Sequence, residues 1–155
     1  MDISDFSFSV LTADHNKNLD CGDPDLNDFF NNNAIKYQDE LLAKTFLWYN
    51  SNLTVGFISL LNDSIELKMR QKKQRLPKEK YFKYYPAVKI GRLGINKEYQ
   101  CNNLGSQILQ FIKTFMIVKN KTGCRFITID GYNKEKVLNF YLKNGFKFYT
   151  ENDKL

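Results

Sequence analysis

Histidine is nearly missing: His15 stands alone among 155 residues. A Ser-His-Asp relay has one imidazole at most to draw on, and a histidine-rich zinc centre cannot be assembled, so no metal is expected. Cysteine is also scarce. Cys21, Cys101 and Cys124 are odd in number and far apart, which reads as reduced thiols of a cytoplasmic protein and not as a disulfide framework. No apolar run approaches the roughly 20 residues a membrane helix needs, so no membrane association is expected. The opening MDISDFSFSV is acidic and alternating, so no secretory signal is expected there. Repeats, low-complexity tracts and linkers are lacking too, and residues 1–155 are expected to form a single domain.

What is present is apolar and aromatic material, 43% and 15% of the chain, enough for one core. The net charge of +6 is uneven. Lys68, Arg70, Lys72, Lys73, Arg75, Lys78, Lys80, Lys83, Lys89 and Arg92 crowd one window with Glu79 as the only acid, and the rest of the chain is slightly acidic. Two readings stand: a solvated basic segment, or a surface for a polyanion. Tyr81, Phe82, Tyr84 and Tyr85 interleave its end, which suits unstacked bases or, equally, a core.

Along the chain, Phe6, Phe8 and Val10 alternate with serines and predict a first strand. Asp23 offers an N-cap with Pro24 at the first helical position. Leu26, Phe29, Phe30, Ala34, Tyr37 and Leu41 then share a helical face, predicting a helix from Pro24 to about Leu42. Thr45–Tyr49 and Leu53–Leu61 flank Asn50-Ser51-Asn52 and predict a hairpin. Ser64–Gln74 offers a weak helical face, punctuated later by Pro77 and Pro86. Lys89–Ile95 predicts a strand, broken at Asn96. From Leu104 onward the helical spacing of Leu104, Ile108, Leu109, Ile112, Phe115 and Met116 predicts a helix, with Gly123 as its stop. Phe126–Asp130 predicts a buried strand. Lys134–Asn144 predicts a helix ended by Gly145, and Phe146–Tyr149 begins a last strand.

The stretch between Ile95 and the helix after it is the chemical centre of the pattern. A strand feeding a turn of permissive residues and then a helix aims free N–H groups, and the positive end of the helix dipole, at one point that favours phosphate. Gln100-Cys101-Asn102-Asn103-Leu104-Gly105 resembles the acetyl-coenzyme A loop of the GNAT acetyltransferases, Arg/Gln-x-x-Gly-x-Gly/Ala. Asn103 stands where the first glycine is usual; Asn is the non-glycine residue that best tolerates positive φ. Asp20-Cys21-Gly22-Asp23-Pro24-Asp25-Leu26-Asn27-Asp28-Phe29-Phe30 is similar to the Cys-Gly-x-x-x-Leu segment of one GNAT branch. Gly91-Arg92-Leu93-Gly94-Ile95 resembles its Gly-Arg-Leu-Ala-Val strand, and Phe140-Tyr141 through Gly145-Phe146 its Phe-Tyr-x-x-x-Gly-Phe ending. That branch includes the toxin acetyltransferases of bacterial toxin–antitoxin modules, which acetylate the amino group of aminoacyl-tRNA.

The resemblance implies an α/β fold, a central mixed, mostly antiparallel sheet flanked by helices, with the usual final strand missing or shortened. It implies acetyl-CoA as donor. Main-chain N–H groups of Cys101, Asn102, Asn103, Leu104, Gly105 and Ser106, with Gln100, would hold the pyrophosphate. Leu93, Gly94 and Ile95 would pair with the amide arm, and Asn133 is either a further contact to that arm or a helix cap. Tyr141 is either the acid that protonates the leaving thiolate or a core tyrosine; a phenol, pKa near 10, is protonated at neutral pH. Arg92 would fix a substrate phosphate or carboxylate, or pair with an acid across the sheet. No general base stands out. An α-amine, pKa about 7.7–8.0, needs less help than a lysine at about 10.4, which favours an aminoacyl acceptor. The partners implied are acetyl-CoA, aminoacyl-tRNA, a cognate antitoxin and a second copy of the chain. The alternatives are a GNAT enzyme acting on a small amine or a protein N-terminus, and a non-catalytic nucleic-acid-binding domain.

Overall fold

The computed structural model describes residues 1–51, 53–68, 72–73, 76 and 82–148. A five-stranded sheet runs in the order β1 (Ser7–Val10), β2 (Lys44–Asn50), β3 (Leu53–Glu66), β4 (Tyr84–Ile95), β5 (Phe126–Ile129). The first four strands are antiparallel neighbours, and β5 lies parallel to β4. This is the mixed, mostly antiparallel sheet that the sequence predicts.

The sheet is buried on both faces because β2 and β3 carry apolar residues at odd and even positions alike. On one face Phe46, Trp48, Ile58, Leu60 and Ile90 meet Ile108, Leu109 and Ile112 of the helix α3 (Leu104–Val118). On the other, Leu47 and Phe57 meet Phe29, Phe30 and Ala34. Those three belong to α1 (Pro24–Asp28), a π-helical turn (Phe29–Asn33) and α2 (Ala34–Asp39). Phe29 and Phe30 both lie buried within that wider turn. Asp23 caps α1 as predicted, its Oδ1 accepting from Asp25 N and Leu26 N. The helix stops at Asp39 and not at Leu42. Leu41 sits at φ 58° and is 93% exposed, so it does not belong to the apolar face.

Other boundaries also shift. β3 continues through Glu66, so Ser64–Glu66 is strand where a weak helix was expected. Ile65 and Leu67 alternate into a small core with Tyr85 and Ala87, a period of two and not of 3.6. The remainder of that expected helix lies largely outside the described residues, as do Tyr81 and Tyr149. β4 starts at Tyr84 and absorbs Pro86, whose carbonyl accepts from Arg125 N. Tyr85 is therefore core, while Phe82 and Tyr84 stay exposed. α3 ends at Val118, well before Gly123.

α4 (Glu135–Lys143) closes as expected at Gly145, φ +83°. Phe146 N donates to Tyr141 O and Gly145 N to Leu142 O, the paired bonds of a Schellman ending. The rings of Tyr141 and Phe146 meet at 5.5 Å across it. Residues 146–148 are not strand.

Candidate active site

β4 and β5 part company. Their pairing runs from Ala87–Phe126 to Ile90–Ile129, where β5 ends, while β4 continues to Ile95. The β5-facing edge of residues 91–95, including Leu93, Gly94 and Ile95, therefore has no strand beside it. Gly91 lies in the register shift between Ser59–Arg92 and Leu60–Ile90, a bulge that bends the strand where it leaves its neighbour. Gly94 is required by packing: a Cβ there would sit 2.6 Å from the Phe57 ring.

At the far end of that open edge the chain turns into α3. Asn96, 6% exposed, has its amide satisfied by Thr54 O and its carbonyl by Glu98 N. After a 3-10 turn (Lys97–Tyr99), Cys101 (φ 63°) and Asn103 (φ 59°) are left-handed, and Asn102 between them is not. Alternation of this kind turns successive N–H groups toward one side. No side chain caps α3. Among the described residues, none of the N–H groups of Cys101–Ser106 has a protein acceptor; the first bond of the helix is Gln107 N to Asn103 O. Cys101, Asn102 and Asn103 are exposed. The concentration of unmet donors at a helix N-terminus suits a diphosphate such as that of acetyl-CoA.

The loop is held from behind. Gln100 uses its N–H on Lys97 O and its amide NH2 on Cys21 O (2.8 Å) and Ile95 O (2.9 Å). Its donors shape the loop and are not offered to a ligand. Asp20 accepts from Lys97 Nζ (2.9 Å), Gly22 N and Asn27 Nδ2, and these bonds, that of Lys97 first, hold its carboxyl down to about 2. Asn27 Oδ1 also accepts from Cys21 N, and Asn31 pairs with both main-chain groups of Leu19. The Asp20–Asn31 segment is thus a brace for the phosphate loop. Sequence reasoning found the segment but gave Asn27 and Asn31 no role.

Gly105 faces protein: a Cβ would lie 3.1 Å from the Phe140 ring. This contact seats the first turn of α3 beside α4; the sequence showed Phe140 only as part of the Phe-Tyr ending, not as the partner of Gly105. Tyr141, next along, lines a cleft of about 350 Å³ with Thr128, Asp130, Gly131, Leu138 and Phe146. Burial pushes its phenol up to about 12. Its hydroxyl has no hydrogen-bond partner among the described residues. Asp130 is the one carboxylate lining that cleft among the described residues, tied to Lys89 at 2.7 Å.

Arg92 does not pair with an acid across the sheet. Nη1 donates to Gly91 O, the guanidinium carbon lies 5.0 Å from the Phe29 ring centre, and the buried Nε has no partner among the described residues. Asn133 is exposed and does not cap α4, whose N-cap is Lys134. His15 is no catalytic base. Thr12 N donates to Nδ1, so the ring proton sits on Nε2 and points at Ser9 Oγ, the reverse of what activating that hydroxyl needs.

This architecture, a bulged β4 that outruns β5, with an amide-rich turn into α3, is a GNAT-like fold. No protein-family model matches the chain. Among solved structures it is similar to a tyrosine-to-phenylalanine mutant of KacT, with TM-score 0.78 and 18% identity over 96% of this chain and 90% of that one. AtaT complexed with acetyl-methionyl-tRNAfMet gives 0.74 at 20% identity, over 96% and 90%. A tyrosine-to-phenylalanine mutant of the AtaT toxin, bound to the C-terminus of the antitoxin AtaR and acetyl-CoA, gives 0.71 at 20%, over 96% and 89%.

Proposed function

We propose that this chain is an N-acetyltransferase that uses acetyl-CoA and acts on a primary amine, with the α-amino group of an aminoacyl-tRNA as the acceptor that fits best. The observation that carries the reading is the set of unmet N–H groups from Cys101 to Ser106, opening beside the unpaired edge of β4. Bound acetyl-CoA supplies an acetyl group activated as a thioester. The N–H groups of Cys101–Ser106 hold the diphosphate; hydrogen bonds to charged groups contribute about 1.5–3 kcal/mol each. The main chain of Leu93, Gly94 and Ile95 pairs with the amide arm as a strand would, and the exposed Asn133 adds a polar contact to it.

Tyr141 holds its proton on Oη at any physiological pH and donates it when a thiolate develops. The phenol's burial excludes water from that transfer. Arg92, whose guanidinium stacks on Phe29, adds positive charge beside the acceptor's phosphate or acyl oxygen. The fold likeness supports this reading: AtaT has been captured with acetyl-methionyl-tRNAfMet and with acetyl-CoA, and tyrosine-to-phenylalanine mutants of KacT and AtaT have been made. The likeness to AtaT with its antitoxin AtaR supports a cognate antitoxin as partner here.

Incubation with charged tRNA and labelled acetyl-CoA tests the reading. Label should appear as N-acetyl-aminoacyl-tRNA. Transfer to small amines or peptide N-termini, with none to any aminoacyl-tRNA, would change the acceptor. Transfer to nothing would remove the enzyme.

A further inference from the structure

β5 is the last strand of the sheet, and among the described residues no strand lies along its outer edge. That edge sits in a groove. One cleft, about 350 Å³, follows β5 from Phe126 to Asp130; a second, about 550 Å³, follows the chain from Cys124 to Ile127. The two share Phe126, Ile127, Phe146 and Lys147. Successive residues of a strand point to opposite faces. Phe126 packs on the core of one face, and Ile127 and Ile129 on that of the other, yet all three line the first cleft. The cleft therefore runs along the edge and not over one face. Leu138, Tyr141 and Leu142 wall it on the side of α4, and Ile65 lines it from the face where Phe126 packs.

The groove is apolar and open. Ile117, Leu142 and Phe148 stand along it at 82%, 44% and 42% exposure. Phe126–Ile129 carries no charge and no proline, the residues that commonly guard a free edge. A strand edge recognises a peptide main chain, and walls on both faces give alternate side chains a place on each. Charge then selects the peptide. Lys113, Arg125 and Lys147 line the second cleft, and no acid does among the described residues. Asp130, at the other end, is already held by Lys89 at 2.7 Å. A second copy of the chain would bring three more cations and one acid that a lysine occupies.

We propose that the outer edge of β5 is a docking site for an extended, acidic segment of a partner protein, which joins the sheet as a further strand. Its main chain pairs with Phe126–Ile129. Its apolar side chains enter the groove alternately on the α4 side and the Ile65 side, and its acids meet Arg125 and Lys147.

The probe is a short synthetic peptide, blocked at both ends, with a valine-rich middle and glutamate at either end. One control carries N-methyl groups on alternate amides, and another has lysine for glutamate. Binding to the full chain is read by fluorescence anisotropy, and the edge by amide hydrogen exchange over 124–131. The glutamate peptide should bind saturably and slow exchange over 126–129 about tenfold, and both controls should bind about tenfold more weakly. Arg125→Glu with Lys147→Glu should weaken the glutamate peptide by a similar factor and strengthen the lysine one. Both side chains are exposed, so this variant should melt with the wild type. Ile117→Lys, at a position 82% exposed, should also weaken the peptide. No binding, equal binding of the N-methylated peptide, or unchanged affinity in both variants overturns the proposal. So does an edge already protected in the free protein: protection at every concentration means that the chain covers the edge itself, and protection that grows with protein concentration means that a second copy does.

Discussion

Tyr141 carries the sharpest demand on a single side chain. Tyr141→Phe should lower kcat by about 10²–10⁴, the usual worth of a placed general acid, and leave acetyl-CoA affinity within twofold. Its raised pKa also bears on stability. The fold favours the neutral phenol, so its contribution is complete below the unfolded value near 10 and is lost as pH rises through about 12. Wild type should therefore lose stability across that alkaline window in excess of Tyr141→Phe, measured by denaturant titration at stepped pH. Asp20 behaves in the opposite sense. Its contribution is present above the usual aspartate value and is lost as pH falls through about 2. At this scale the sequence was legible where the signal is local, as with Asp23 capping α1. It was opaque where the role lies in a distant partner. Gln100 reaches back to Cys21, and Arg92 stacks on Phe29. Neither contact leaves a trace in local spacing.

At the scale of elements, the turn into α3 depends on two left-handed residues. Asn103→Val should cost about 1–2 kcal/mol, because a β-branched side chain resists φ 59°, whereas Asn103→Gly should be tolerated and keep acetyl-CoA binding. Thermal melts and calorimetry on the pair check this. Gly105→Glu should weaken acetyl-CoA binding at least tenfold by driving a charged side chain into the Phe140 ring and displacing the first turn of α3. Unchanged affinity would show that the loop does not hold the donor. The start of α3, the cap of α1 and the glycine end of α4 were readable because each is written in a local signal: helical spacing, Asp23-Pro24, and Gly145. The run of β3 through Glu66 was misread because Ile65 and Leu67 fit a weak helix and a strand alike. The choice is made by Tyr85 and Ala87, residues brought alongside only by folding.

For the whole molecule, the mixed sense of the sheet was expected from the family resemblance alone, since apolar alternation marks strands without giving their order or direction. The unpaired length of β4 beyond Ile90 was not legible, since nothing in Lys89–Ile95 announces that its neighbour β5 is only four residues long. The basic window acts at this scale as well. Lys83 and Tyr84 sit together in an exposed cation–ring contact beside β4. If the acceptor is tRNA, its affinity should fall steeply with salt, by about 10³–10⁵ between 50 and 200 mM for six to ten phosphate contacts, while transfer to an amino-acid ester should barely respond.

The most direct trial of the central claim is a titration of the amide-labelled protein with acetyl-CoA, followed by nuclear magnetic resonance. The N–H signals of Cys101 through Ser106 should move farthest and together, with those of Leu93–Ile95 next. Saturating acetyl-CoA that leaves the Cys101–Ser106 amides where they were would contradict the account at its base.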